Sequence, residues 1–331
     1  MTLKIGIVGF GWWGQHIAMR MNGHSGFKVE AIAEKDRKLH SDIAAMGVHS
    51  VNDIDDILSI GSIEAIILTS PNELHDAQIN ACARAGVNVF CEKPLSLTIA
   101  GAQASISACA EAGVVLGIGH ERRFEPAIQH LKSAIDAGEL GTIMHSELAF
   151  SHNKLKDLPA NSWRTTKKFA PAAGMTQMGI HLTDLLIWFF GRVVSVHAIT
   201  ADRELGWETG DIVTVQMQFE AGMIAQMQAI LNTPHFLRTH VFGSREWIEI
   251  RNTTHPDTSD GLVEMTRYRA IDDQEQQQFN WTDAVTANLE NFAAAIRGDA
   301  PYLFTDFEKI HNIEVLEAVI RSADTNKVVA L

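Results

Sequence analysis

The first third of the chain alternates between two textures. Short, almost uninterrupted apolar runs give way to stretches where apolar residues return every three or four positions. The runs are Ile5 to Val8, Phe27 to Ala33, Val48 to Val51, Ile63 to Leu68, Val87 to Phe90 and Val114 to Ile118. The periodic stretches lie between them, at about Trp13 to Met21, Asp53 to Ser59, Glu73 to Ala85 and Ile99 to Ala112. Strands that are apolar on both faces, alternating with helices, predict a parallel sheet covered on either side. Residues 1–120 therefore read as a doubly wound α/β domain, whose ligands bind at the carboxyl ends of its strands.

Past residue 120 the pattern changes. A helix over Ala127 to Ala137 leads to a strand over Thr142 to Phe150, an irregular polar stretch, and an apolar helix over Thr176 to Phe190. Consecutive strands follow at Val193–Thr200, Ile212–Phe219, Met223–Leu231, Leu237–Phe242, Trp247–Ile250 and Val263–Arg269, joined by turns such as Glu220-Ala221-Gly222. That order predicts an open, mostly antiparallel sheet, so residues 121–331 read as a second α/β domain. Two helices close the chain, Thr282 to Arg297 and Thr305 to Ala323, and either could pack back on the first domain. The second opens on Thr305-x-x-Glu308, a capping box.

Composition narrows the function. A net charge of −13 excludes nucleic acid and anionic membrane as partners, because both require basic patches that neutralise phosphate. No apolar run approaches the roughly 18 residues of a membrane span. The three cysteines, Cys82, Cys91 and Cys109, form neither a disulfide framework nor a CxxC pair, which fits a reducing compartment. With the first strand so close to the start, the expected location is the cytoplasm. No HExxH or other metal-ligand cluster is evident, so no metal is expected.

Within the first strand–helix junction the glycines fall at Gly9, Gly11 and Gly14. In that spacing the first permits a tight turn, the second lets a pyrophosphate approach the backbone, and the third lets helix and strand pack closely. The intervening Trp12 and Trp13 contribute backbone N–H groups, and the helix N-terminus favours phosphate. The second strand ends in Glu34, placed to accept hydrogen bonds from ribose hydroxyls and to repel a 2′-phosphate. NAD is favoured, although Lys35 beside it leaves NADP open.

Two further stretches carry chemistry. Cys91-Glu92-Lys93-Pro94 ends the fifth strand, putting a lysine where a nicotinamide and a substrate hydroxyl would meet. Gln177, His181 and Asp184 stand at i, i+4 and i+7 on the apolar helix, one polar stripe in which Asp184 could orient His181 for proton transfer.

Taken together, Gly9-x-Gly11-x-x-Gly14, Glu92-Lys93-Pro94 and Gly179-x-His181-x-x-Asp184 resemble the glucose-fructose oxidoreductase / inositol dehydrogenase family, Gfo/Idh/MocA. The resemblance extends to Thr69-Ser70-Pro71-Asn72 with His75, Arg122-Arg123-Phe124 with Pro126, Trp163-Arg164, and Asn291-Phe292 to Arg297-Gly298. It implies an N-terminal Rossmann domain and a C-terminal domain whose open sheet serves a homodimer or homotetramer. The implied activity is NAD(P)-dependent oxidation or reduction at a carbinol or carbonyl carbon of a small-molecule substrate, a sugar, cyclitol or related cyclic alcohol. By the same resemblance Lys93 would bond the reacting oxygen and His181 would act as base. Ser70, Pro71, Asn72, His75 and Glu92 would line the cofactor, and Trp163, Arg164, Gln177 and Asp184 the substrate. The Lys93–Pro94 bond would be a candidate for cis. One departure stands out: many members carry aspartate where this chain has Gln177, and glutamine cannot take a proton. Two other functions stay open, an NAD(P)-binding sensor without turnover and an NAD-dependent glycoside hydrolase.

Overall fold

The computed structural model describes residues 2–159 and 161–331. They form two compact units, one built from residues 1–120 and 285–310, the other from 121–284 and 311–331.

In the first unit, β1 (Leu3–Val8), α1 (Trp12–Met21), β2 (Phe27–Ala33), α2 (His40–Ala45), β3 (His49–Val51) and α3 (Ile54–Leu58) make one half. The other half is β4 (Ala65–Leu68), α4 (His75–Arg84), β5 (Asn88–Cys91), α5 (Ile99–Ala112) and β6 (Leu116–Ile118). The six strands are parallel in the order β3-β2-β1-β4-β5-β6. The order reverses between β1 and β4, and such a switch point opens the crevice where dinucleotides bind. Helix ends follow local chemistry. Asp53 caps α3 in a reciprocal box with Asp56, and Gly113 stops α5 in the left-handed region at φ 66°.

The second unit begins with α6 (Pro126–Asp136), β7 (Ile143–Ser151) and α7 (Gly179–Phe190). It continues through β8 (Val193–Ala201), β9 (Ile212–Phe219), β10 (Ile224–Ile230), β11 (Phe236–Gly243), β12 (Trp247–Asn252), β13 (Leu262–Ala270) and β14 (Asp273–Asn280). After α8 (Ala284–Arg297) and α9 (Asp306–Thr325), β15 (Val329–Ala330) adds a last edge. The nine strands run β14-β13-β12-β11-β7-β10-β9-β8-β15, and every adjacent pair is antiparallel except β7 with β10. The expected six-strand and mostly antiparallel characters hold. Periodicity gave no sign of β14: its residues DQEQQQFN are nearly all exposed, so pairing with β13 rather than burial makes it a strand.

β9 shows how one face is used. Val213, Val215, Met217 and Phe219 point into the core, while Thr214 and Gln216 point away. The inner face packs on α7, whose residues are buried almost all round, as expected of a helix apolar on every side.

The apolar helix starts at Gly179, later than the expected Thr176. Ala172 and Ala173 adopt φ of 56° and 51°, and residues 173–175 form a 3-10 turn. A Cβ on Gly174 would stand 3.0 Å from that of Ala229 on β10, so this turn depends on a close approach to the sheet. Gln177 thus precedes the helix and does not share a face with His181.

The chain's end completes the first unit. Val285, Leu289, Phe292 and Ala293 of α8 join the cluster formed by Ile5, Ile7, Phe90 and their neighbours. Burying a side chain such as Phe292 contributes about 2–3 kcal/mol. Tyr302 Oη donates to the Ile118 carbonyl at 3.1 Å and receives the Ile118 N–H at 3.0 Å, and Asn288 Nδ2 donates to the same carbonyl at 2.9 Å.

Candidate nucleotide cradle and helix-borne site

The turn after β1 is built by main chain. Gly9 sits at φ 95°, a conformation that glycine adopts without penalty. A Cβ on Gly14 would lie 2.2 Å from the Gly9 carbonyl oxygen, so the helix can press against the turn only with glycine there. Thr69 Oγ1, at the end of β4, donates to the Gly9 carbonyl at 2.8 Å and ties the two strand ends together. At Gly11 the opposite holds, since a Cβ would meet nothing within 4 Å. The helix opening at Trp12 has no side-chain cap and no acid in its first turn, so its N-terminal dipole is not neutralised locally. Trp12 stands 57% exposed, stacked in a tilted pair with the half-buried Trp13.

Glu34 follows β2 directly. Its two oxygens accept the backbone N–H groups of Phe10 at 2.7 Å and Asp36 at 2.8 Å, which fixes the carboxylate beside the glycine turn. Lys35 is exposed next to it. Farther along, Ser70 Oγ bonds the Gln78 side chain. Pro71 is half-buried, and Asn72 opens the 3-10 turn before α4.

His75 is fully buried. Its ring nitrogens lie 2.8 Å from the Pro94 carbonyl and 3.1 Å from the Ser70 carbonyl, bracing the loops after β4 and β5 together. Burial pushes its pKa down, keeping it neutral. The Lys93–Pro94 peptide is cis. Glu92 packs against Gly119, where a Cβ would come 2.5 Å from Oε1. Burial pushes the Glu92 carboxyl up to about 7, opposed by the adjacent Lys93 ammonium and the Trp13 indole N–H.

In the second unit, His181 and Asp184 lie on α7, both buried. Asp184 was expected to orient His181 and face substrate, but both its oxygens go to Arg123, from Nε at 2.9 Å and Nη2 at 2.7 Å. Arg123 is fully buried with its guanidinium over Trp188. This bidentate pair anchors the helix and engages both Asp184 oxygens. The carboxylate facing His181 comes from elsewhere: Glu121 Oε2 lies 3.6 Å from His181 Nδ1. Glu121 and Arg123 open the short turn after His120. Sequence reasoning passed over Glu121 because no spacing rule links it to a residue sixty positions on.

Trp163 and Arg164 form a 3-10 turn capped by Ser162, with the Arg164 guanidinium 4.2 Å from the centre of the Trp163 ring. Gln177 Nε2 donates to the Arg164 carbonyl at 3.2 Å, and Gln177 Oε1 accepts from Thr176 Oγ1 at 3.0 Å. Trp163, Arg164 and Gln177 are therefore brought together. Among the described residues, no group of three or more His, Cys, Asp or Glu side chains could hold a metal ion. Nor, among those residues, is any helix long and apolar enough to cross a membrane.

Comparison with known proteins decides the family. Residues 3–120 match the model described as the GFO/IDH/MocA oxidoreductase family, NAD-binding Rossmann fold, and residues 128–249 match its C-terminal domain. The chain belongs to the Gfo/Idh/MocA family. An uncharacterized oxidoreductase of Streptococcus pneumoniae is 24% identical over 231 residues, 68% of this chain and 62% of that relative's length, a little under two thirds. The inositol 2-dehydrogenase of Rhizobium meliloti is 24% identical over 355 residues, 100% of both chains. In three dimensions, the WlbA dehydrogenase of Bordetella pertussis, crystallised with NADH and UDP-GlcNAcA, superposes with a TM-score of 0.85 at 21% identity. That superposition covers 100% of this chain and 98% of that one, and it shows a shared fold.

This Gfo/Idh/MocA member carries an NAD-binding Rossmann domain over residues 3–120. The cradle fits such a cofactor on its own geometry. Of Gly9, Gly11 and Gly14, the one whose Cβ would project into open space is Gly11, beside the uncapped helix terminus, and a fixed carboxylate flanks the turn.

Proposed function

We propose that the protein is an NAD-dependent dehydrogenase acting on a carbinol or carbonyl carbon of a sugar, cyclitol or related cyclic alcohol. The observation that carries this reading is the buried His181 with a carboxylate, Glu121, 3.6 Å from its Nδ1. A carboxylate beside one ring nitrogen can orient the imidazole, so that the ring takes and returns a hydroxyl proton. In this reading the Lys93 ammonium donates a hydrogen bond to the reacting oxygen. Gly9, Gly11, Gly14 and the first-turn N–H groups of Trp12 and Trp13 hold the pyrophosphate, and Glu34 holds the adenosine ribose. NAD, when bound, supplies the hydride acceptor or donor. Ser70, Pro71 and Asn72 line its binding surface, while His75 acts beneath them as a positioning residue. Trp163, Arg164 and Gln177 contact the substrate.

We place the enzyme in the cytoplasm, where three buried thiols without disulfides are at home. We assign the uncovered sheet face to a homodimer or homotetramer. Its depression of about 520 Å³ is lined by Glu147, His197, Gln216, Gln228 and His240, on the side away from α7.

Absorbance at 340 nm across a panel of sugars and cyclitols, with NAD and NADP in parallel, tests the reaction. A signal with NAD exceeding that with NADP is expected. Lys93→Ala and His181→Ala should each lower turnover by about 100-fold or more with NADH binding retained. Full activity in both variants would overturn the assignment. NADH binding without any absorbance change would favour a sensor, and sugar release without net NADH a glycoside hydrolase.

A further inference from the structure

Among the described residues, Arg164 has no counter-ion. Among the described residues no carboxylate comes within 4 Å of its guanidinium, and no acceptor takes its side-chain N–H groups, although 18 other arginine, lysine or histidine side chains among those residues do pair with acids. The side chain is only half-exposed, and burial acts on its charge with no nearby acid in opposition. A partly desolvated cation left unpaired is costly, and proteins ordinarily supply it with an anion.

The surroundings hold the guanidinium ready for one. Trp163 lies beneath it at 4.2 Å, which fixes the guanidinium against an aromatic surface and restricts its motion. The turn carrying both residues is pinned by Ser162 Oγ, which accepts the Arg164 N–H, and by the Thr165 and Thr166 hydroxyls, which donate to the carbonyls of Ser162 and Trp163. Gln177, which ties this turn to the segment entering α7, is neutral and adds no charge of its own.

We propose that Arg164 is a binding site for a carboxylate on the substrate, so that the preferred substrates are acidic sugars or acidic cyclitols. The inference rests on the dehydrogenase reading only in treating this turn as substrate-facing. One unpaired guanidinium balances one negative charge, and its planar fork matches a carboxylate in two parallel hydrogen bonds. A dianionic phosphate would remain half-compensated.

The test uses the NADH-bound protein and two readouts. Thermal shift with D-glucuronate, D-gluconate, D-glucose and D-glucose 6-phosphate measures binding, because a ligand of the native state raises the melting temperature whether or not it reacts. Turnover of the same compounds is followed with NAD at 340 nm. At least one of the two carboxylates should bind about 10-fold tighter than glucose. Arg164→Ala should erase that preference, weakening the acids by about 10-fold more than it weakens glucose, and Arg164→Lys, which keeps the charge without the fork, should restore part of it. Acids that bind no tighter than glucose, or an Arg164→Ala loss equal for acids and glucose, would overturn the proposal. Tighter binding of the phosphate than of either carboxylate would overturn it as well. Arg164-dependent binding of an acid without turnover would leave the carboxylate site standing and count against the dehydrogenase reading. Turnover of neutral sugars with no preference for acids would do the reverse.

Discussion

The nucleotide cradle and the α7 site solve the same problem, holding polar groups still in a mostly apolar setting, by different means. The cradle is made of main chain: Gly9 makes the turn, Gly14 allows the contact, and Thr69 and Glu34 bond to backbone groups. The α7 site is made of side chains from separate stretches, with Arg123 holding Asp184 and Glu121 facing His181. A backbone site therefore tolerates exposed side-chain changes and fails on an added methyl group. A side-chain site fails when one partner of a pair is lost.

Substitutions can sharpen that contrast, and the largest effect belongs to the second unit. Arg123→Ala leaves the Asp184 carboxylate buried and unpaired, and should cost about 3–5 kcal/mol in chemical denaturation. A loss close to zero would mean that the pair contributes nothing to holding α7. Gly14→Ala comes next, at about 3 kcal/mol, because its Cβ would meet backbone that cannot step aside. Melting at the wild-type temperature would refute the close approach of α1 to the turn.

Glu92 gives a similar magnitude with a pH signature. Its folded pKa of about 7 lies above the ordinary 4.5, so the folded state disfavours the charged form. Stability is then lost as pH rises from about 4.5 to about 7, by about 3 kcal/mol in all, and is flat above. Comparing wild type with Glu92→Gln between pH 5 and 8 should show that the variant lacks this decline. Parallel curves would rule out Glu92 as its source. The smallest structural effect is expected at Gly11→Val, whose Cβ enters open space: stability should stay within about 1 kcal/mol while NADH binding, followed by fluorescence, is lost. Tight NADH binding by that variant would contradict a pyrophosphate lying over Gly11.

The same contrast explains what the sequence disclosed. The cradle was legible because glycine positions, strand runs and Glu34 act over short spans, and backbone requirements leave a mark on residue type. Lys93, His181 and Trp163-Arg164 enter the proposed site through family motifs. The partners were not legible: Asp184 looked like a helper for His181 at i, i+3, yet Arg123, sixty-one positions earlier, takes both its oxygens. The helical stripe including Gln177 failed because periodicity cannot register a turn forced by packing of Gly174 on Ala229. β14 went unseen because its ladder asks nothing of its side chains.

The sealing of β6 has a consequence for how the protein is made. Strand β6 lies at an edge of its sheet, and the groups that finish it, Asn288, Tyr302 and Lys309, are encoded 170 or more residues later. Phe292, which packs at Gly117, arrives equally late. While the ribosome is still translating the middle of the chain, the emerging nucleotide-binding half carries an unpaired strand edge and an uncovered apolar surface, the features that invite aggregation and chaperone capture. Its maturation waits for the carboxyl-terminal helices, so a message truncated anywhere before them yields a polypeptide that has every glycine of the cradle and no finished domain to hold it.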